Sequence, residues 1–360
     1  MWILFITALC CLYLYTWIRF YPGKFPVYPG GVPLLGNISL FSGGTEKEWE
    51  NIKKIFKFSL ENGDIVLIYF GPIPIYIITD PDDCNTVLTS CMHRSGIAKK
   101  FGKSFLGNGL LFGPGTCLSR LVLRRKRESQ DKEQNQKSDT KFKPFLDRLL
   151  ESSDTLSTQD LRDEINTTIL AGFETTSATL CHCLLLLGTH NNIQEKCYQE
   201  INEVFGDSER DVTKDDLPRL KYIEMVLKET MRLCPVVPYT TRIITEDVQL
   251  IQENAVLRKG HLCFVALYGV MHHPTWGPDV EQFVPERWLD SSDLNPNAFG
   301  AFGYGRRNCV GRVYAMMSMK VAMVHILRAY RVSGEYHRMR IKNMGINKPV
   351  DGHHITLYNR

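Results

Sequence analysis

Residues 302–311 read Phe302-Gly303-Tyr304-Gly305-Arg306-Arg307-Asn308-Cys309-Val310-Gly311, and the rest of the chain is organised around this stretch. It sets one cysteine in a glycine-framed, basic loop, directly before an apolar run over residues 313–323 that reads as a helix. A cysteine just ahead of a helix N-terminus sits where backbone N–H groups and the helix dipole favour negative charge. Arg306, Arg307 and Arg312 act in the same direction. The thiolate so favoured is the donor that a soft metal centre wants. Taken alone, the loop offers a thiolate to some metal and says no more.

The chain has 360 residues, 44% of them hydrophobic and 23% charged, which supplies a large core and the make-up of an ordinary globular protein. Its net charge of +4 is too mild to argue for nucleic acid, though it leaves room for a local basic patch facing an acidic partner. Eleven cysteines occur, an odd number with no Cys-x-x-Cys pair. This is neither a disulfide framework nor a zinc pattern, and it suits a reducing, cytosol-facing compartment. For most of these cysteines the plain reading is a small buried hydrophobe. Cys309 stands apart because of its neighbours.

Residues 2–18 carry no charge and are followed by Arg19 and Lys24. That reads as a short signal-anchor that leaves the bulk of the protein cytosolic. Residues 22–33 hold four prolines and three glycines, a stiff connector. A helix is expected over residues 45–61, then a hairpin of residues 65–70 and 75–78 around Gly71-Pro72, then a short helix after Asp80-Pro81. Residues 120–143 are dominated by charge and read as a solvated connector. Ser157-Thr158-Gln159-Asp160 is a capping-box start for a long helix over about residues 161–187, closed by Gly188. Further helices are expected over about 192–205, ending at Gly206, and about 220–233, stopped by Pro235. Short strands and turns fill the remainder. The expected class is mainly α with a small β region.

Four motifs follow one another. Ala171-Gly172-Phe173-Glu174-Thr175-Thr176 lies inside the long helix. Its small residues let a flat ligand or O2 approach the backbone, a threonine hydroxyl can open the helix ladder, and Glu174 can relay protons. Glu229 and Arg232 are three residues apart on one helical face, where their charges can meet; by itself such a pair is common on solvated helices. Phe283-Val284-Pro285-Glu286-Arg287-Trp288 is a rigid loop presenting another arginine. The fourth is the opening stretch, with the pattern Phe302-x-x-Gly305-x-Arg307-x-Cys309-x-Gly311. Its glycines let the loop pass close under a flat macrocycle, Arg307 can bond a carboxylate of that macrocycle, and Phe302 can shield the sulfur.

In this order and spacing the four motifs resemble the cytochrome P450 superfamily, and within it the microsomal clan that contains family 4, insect members especially. The resemblance covers the anchor, the hinge, the first helix and hairpin, and everything from about Leu161 onward, and it is strongest over residues 171–319. It implies a P450 fold, with an N-terminal membrane anchor over residues 1–20, a hinge over 21–40 and a haem-thiolate domain over 41–360. It implies haem b as cofactor, with Cys309 as the axial ligand of the iron. Phe302, Gly305, Arg307, Gly311 and Arg242 match haem-binding positions. Thr175 with Glu174 matches the acid–alcohol pair that delivers protons to iron-bound O2, and Glu229, Arg232 and Arg287 match the family's buried ion triad. Arg306, Arg312 and Lys320 are expected on the face where an acidic reductase docks. Implied partners are NADPH-cytochrome P450 reductase, cytochrome b5, the endoplasmic reticulum membrane and a small apolar substrate of the fatty-acid, insect-hormone or xenobiotic class. The implied activity is monooxygenation.

Two departures qualify that expectation. The glutamate that esterifies haem in many family 4 members is replaced by Ala171, so non-covalent haem is expected. The family's helical block between the early loop and the long helix is largely missing, the chain being internally shortened near residues 115–125. The five tryptophans are Trp2, Trp17, Trp49, Trp276 and Trp288. None can supply the Trp-x-x-x-Arg clamp that this block normally carries. The rival expectation is therefore an inactive remnant that binds haem weakly or only engages the reductase.

Overall fold

The computed structural model describes residues 25–32, 34–93, 157–252, 255–290 and 294–360, with a few single positions among the first fifteen. The expected anchor falls almost wholly outside the described residues, and the charged connector and the shortening near residues 115–125 fall entirely outside them. The chain divides into two compact units, one formed by Met1–Cys91 and Thr175–Arg360, the other by Met92–Glu174.

The larger unit is mainly helical with a small β part, as the sequence led us to expect. Strands β1 (Ile65–Phe70) and β2 (Ile73–Ile78) form the expected hairpin, pairing antiparallel from Ile65↔Ile78 to Phe70↔Ile73. The two-residue loop works because Gly71 takes φ +58°, the left-handed conformation that a type of turn matched to strand twist requires at its first position. Strand β3 (Thr240–Ile243) and the later strand β6 (Leu262–Val265) complete a four-stranded sheet in the order β1-β2-β6-β3, in which only β2 and β6 run parallel. Between them in sequence, β4 (Val248–Gln249) and β5 (Val256–Leu257) make a small ladder of their own.

The hairpin reads as a continuous apolar run because both of its faces are covered. Ile65, Leu67, Tyr76 and Ile78 point to one side, among Cys84, Val87, Leu88 and Cys91 of helix α2 (Pro81–Ser90) and its cap. Val66, Ile68, Ile75 and Ile77 point to the other, among Trp49, Ile52, Ile55 and Phe56 of helix α1 (Thr45–Glu61). The two-residue period of a strand thus feeds two separate cores. Helix α2 starts where Asp80 accepts hydrogen bonds from the N–H groups of Asp82 and Asp83, both at 2.9 Å, with Pro81 in the first turn.

A third core is made by helices. The long helix α3 (Thr158–Thr189) contributes Cys183, Leu184, Leu186 and Leu187. Helix α4 (Asn191–Phe205) contributes Ile193, Cys197, Ile201 and Phe205, one residue per turn along a single stripe. Helix α5 (Lys221–Leu233) adds Ile223, Val226 and Leu227, and helix α7 (Arg312–Ala329) adds Met319, Met323, Val324 and Leu327. The short helix α6 (Leu267–Met271) packs on the sheet side. Strand β7 (Tyr330–Gly334) follows α7 directly. The ladder of β8 (Ile341–Asn343) with β9 (Asn347–Pro349) comes next, and β10 (Ile355–Asn359) returns to pair with β7.

The start of α3 carries the expected capping box in an Asp form. Ser157 Oγ donates to Asp160 Oδ2 at 2.7 Å and accepts from the Asp160 N–H at 3.1 Å. That reciprocal cap begins the helix at Thr158, three residues before the apolar pattern does. The expectation that α3 runs through a core holds only for its second part. Ile169 and Phe173 are 64% and 67% exposed, whereas the side chains from Ala178 to Leu187 are buried or half-buried.

Candidate functional site

The cysteine loop rests on α2. Gly305 opens a 3-10 turn over Gly305–Arg307 with φ +65°, and a Cβ there would lie 3.0 Å from the Leu88 carbonyl oxygen and 3.0 Å from Thr89 Cα. Gly303 also takes a positive φ, +68°. The Cys309 N–H then donates to the Phe302 carbonyl at 2.8 Å, which closes the loop and turns the cysteine outward. Helix α7 begins at Arg312, with Gly311 at its cap and no capping side chain. Its first N–H, that of Arg312, donates to the Cys309 carbonyl at 3.5 Å, so the helix N-terminus is turned to the cysteine. Cys309 is exposed, and so are its apolar neighbours Val310 (86%), Val313 (71%) and Tyr314 (75%). The Arg312 guanidinium lies over the Phe302 ring, 5.7 Å from its centroid. A Cβ at Gly311 would come 3.9 Å from Cys309 Sγ, an ordinary contact, so the protein's own atoms leave room beside the sulfur.

A buried and a half-buried arginine, Arg242 and Arg307, meet at the same end of α2. Arg242 on β3 is 2% exposed. Its Nε donates to the Cys91 carbonyl at 2.9 Å, and a terminal nitrogen donates to the Thr241 carbonyl at 2.9 Å and to Thr240 Oγ1 at 3.1 Å. Burial, and then the nearby Arg307 charge, push the Arg242 guanidinium down to about 10. Among the described residues no carboxylate lies within ion-pair distance of Arg242. Arg242 and Arg307 bring two positive charges to one corner, a place that favours an anionic group.

Beneath the loop lies the ion network. Glu229 and Arg232 are fully buried on α5 and bond twice, Nε to Oε2 and a terminal nitrogen to Oε1, each at 2.9 Å. Arg287 Nε joins Glu229 Oε1 at 2.9 Å. Three further groups complete it that sequence reasoning did not assign: Trp288 Nε1 on Glu229 Oε2 at 3.1 Å, the Val284 N–H on Oε1 at 3.1 Å, and Asp279 against Arg287 at 3.2 Å. Arg232 spends its remaining donors on the carbonyls of Met271, Val280 and Gln282. The signal for Trp288 was present in the sequence, since an indole N–H one residue after Arg287 needs an acceptor once buried.

Along α3, Thr175 and Glu174 are both half-buried. The helix-opening hydrogen bond in this region comes from Thr179, whose Oγ1 donates to the Thr175 carbonyl at 2.9 Å. Thr175 belongs to the same unit as Cys309, and Glu174 to the other. Lys320 corrects an expectation. It is not a docking cation but is 6% exposed, bonded to Glu224 at 2.6 Å and to the Leu217 carbonyl at 2.9 Å. It lies on the face of α7 turned to α5, while Arg306 and Arg312 are exposed as expected.

The family model for cytochrome P450 matches residues 116–353, which include the whole of the long helix, the ion network and the cysteine loop. The chain belongs to the cytochrome P450 family. It is 38% identical over 231 residues to mouse cytochrome P450 4V2, covering 62% of this chain and 44% of that protein. Human cytochrome P450 4F2 is 36% identical over 213 residues, 57% of this chain and 41% of that one. Probable cytochrome P450 313a1 of Drosophila melanogaster is 38% identical over 178 residues, 48% of this chain and 36% of its own length. The match therefore spans less than half the length of each of these relatives. A lineage near family 4 agrees with the sequence expectation.

The cofactor of a P450 is haem b. The residues present fit its proximal side. An outward cysteine, a flat apolar margin of Val310, Val313 and Tyr314, and the Arg242–Arg307 corner answer in turn to an iron, a macrocycle face and an acidic edge. Substituting Gly305 tests the seat of this P450 loop. Gly305→Ala is expected to cost roughly 2 kcal/mol, because a left-handed backbone and the Leu88 contact both oppose a Cβ. It should also weaken haem retention in step, as read by chemical denaturation and by haem-to-protein absorbance ratio. A variant with unchanged stability would mean that the loop is not held on α2.

Proposed function

We propose that this P450 is a haem-thiolate monooxygenase held at a membrane by residues 2–18, with its bulk on the cytosolic face of the endoplasmic reticulum. The observation that carries this reading is the outward Cys309 at the head of α7, framed by exposed apolar side chains and backed by buried Arg242 and half-buried Arg307. Bound haem supplies the oxygen chemistry of the family, in which one atom of O2 enters an apolar C–H bond and the other leaves as water, using two electrons from an NADPH-dependent reductase.

The chain's own residues have separable tasks in this proposal. Cys309 Sγ would ligate the iron as a thiolate, favoured by the N-terminal end of the α7 dipole and by Arg306 and Arg312. Phe302 keeps water from the sulfur, and its ring is itself held by Arg312. Arg242 and Arg307 bind carboxylates at the macrocycle edge, which relieves their mutual repulsion. Glu174 would exchange protons with water and the Thr175 hydroxyl would pass them on, a task for a hydroxyl at a locally opened helix turn. The ion triad fixes the loop beneath. With Ala171 where an esterifying glutamate would stand, haem is held non-covalently. Substrates of the fatty-acid, insect-hormone or xenobiotic class are the candidates, with cytochrome b5 as a second electron donor.

A second reading, an inactive remnant that occupies the reductase, is favoured by the absence of any tryptophan between residues 50 and 275 and by the short span of the relatives that this chain covers. One experiment separates the two. The purified chain, loaded with haem, reduced and exposed to carbon monoxide, is expected to give the thiolate-type Soret band. Failure to take up haem would favour the remnant. Substrate-dependent NADPH consumption in the presence of reductase then distinguishes an enzyme from a decoy.

A further inference from the structure

His182 lies in the second part of α3 with both ring nitrogens buried and unpartnered, and the residue is wholly inaccessible. Its ring meets that of His353 edge to face, with centroids 4.9 Å apart. His353 Nε2 is likewise buried without a partner. His353 stands two residues before β10, whose outer residues are exposed and whose pairing runs only to β7. The β7–β10 ladder sits tightly on α3. A Cβ on Gly188 would lie 2.6 Å from the Gly334 nitrogen, and Gly334 pairs with Ile355.

Neutral imidazole normally finds one donor and one acceptor partner. Here three ring nitrogens have none, so the contact depends on both rings staying uncharged. The titratable group facing His182 is His353, and the one facing His353 from its own segment is His354. No carboxylate is among the groups acting on either ring. With only two donors and no third ligand, the pair is no metal centre; the cluster among the described residues with metal-ligand spacing is Asp64, Asp80 and His273, at another place.

We propose that His182 and His353 form an acid-released latch that holds the β7–β10 ladder onto α3. At neutral pH the two rings pack as apolar plates. As pH falls, a proton has no partner in the closed state and full hydration in the open one, so β10 detaches while the helical core stays folded. Burial lowers both imidazoles, His182 to about 3, so the closed state binds fewer protons than the open one below pH 6.5. The latch is therefore complete above the ordinary histidine value and weakens progressively below it.

Hydrogen exchange of the full chain tests this. Between pH 7.5 and pH 5 the protection factors of the β7–β10 amides are expected to fall about 30-fold, the factor for one imidazole that is ordinary when open and neutral when closed. The β1–β2 amides serve as the reference for global unfolding, which also exposes a second buried imidazole, His272, lowered to about 3 and stacked on Tyr268, so their protection is expected to stay above that of β7–β10 at both pH values. In His182→Phe, which keeps a ring in the buried position, the roughly 30-fold fall at β7–β10 should be largely lost, and with His353→Phe added it should vanish. Protection of β7–β10 equal to that of β1–β2 at both pH values, or an undiminished fall at β7–β10 in the doubly substituted chain, would overturn the proposal.

Discussion

Glu229→Ala is expected to cost this chain about 3–5 kcal/mol, a large part of the 5–15 kcal/mol that holds a typical domain together. The carboxylate is fully buried and takes five hydrogen bonds, from Arg232 twice, Arg287, Trp288 and the Val284 N–H. Removing it leaves two guanidiniums out of water with only carbonyls and Asp279 to satisfy them. The loss comes less from the vanished attraction than from the stranded charges. Glu229→Gln keeps shape and one acceptor, and should fall between the two. Urea denaturation of the three proteins measures this. A loss below about 1 kcal/mol for Glu229→Ala would show that the network is not buried as described, since only exposed pairs are so cheap.

Cys309→Ala should have the reverse profile, a complete loss of the thiolate-type spectrum with the fold almost untouched. Cys309 is exposed and contributes its backbone, not its sulfur, to the loop's closure. Surface substitutions of this kind change stability by about 0.5 kcal/mol or less. The cysteines buried in the core cannot stand in. Cys234 is buried, and burial pushes its thiol up to about 12; Cys84 and Cys197 are raised well above the ordinary value by the same cause. A thiol in an apolar core is neither ionised nor reachable. The measurement is the carbon monoxide difference spectrum of haem-loaded protein, with circular dichroism as the folding check. Survival of the thiolate band in Cys309→Ala would refute the ligand assignment.

What could be read from the chain depended on whether its signal was local. The hairpin, the capping of α2 by Asp80 and the box at Ser157 are set by residues within a few positions of one another, and each stands where the pattern put it. The cysteine loop was equally legible, because positive φ at Gly303 and Gly305 is a demand of the loop itself. Burial of a charge is different, since it depends on a partner far along the chain. Lys320 looked like a surface cation because nothing near it in sequence announces Glu224 or the Leu217 carbonyl. Glu229 and Arg232 looked like any pair on a solvated helix until Arg287 and Trp288 arrived from more than fifty residues away. The exposed first part of α3 was hidden for a related reason: its apolar pattern is that of a core helix, and pattern alone does not say what covers it.

The seat of the cysteine loop bears on how the molecule comes into being. Helix α2, which carries Gly305 above Leu88 and whose cap ties Arg242 to the Cys91 carbonyl across 151 positions, is made well before the sulfur it supports. The cradle must therefore be kept open while more than two hundred residues are added. The ligand loop can close only once Gly311 has been added, so cofactor capture follows the making of α2 by more than two hundred residues.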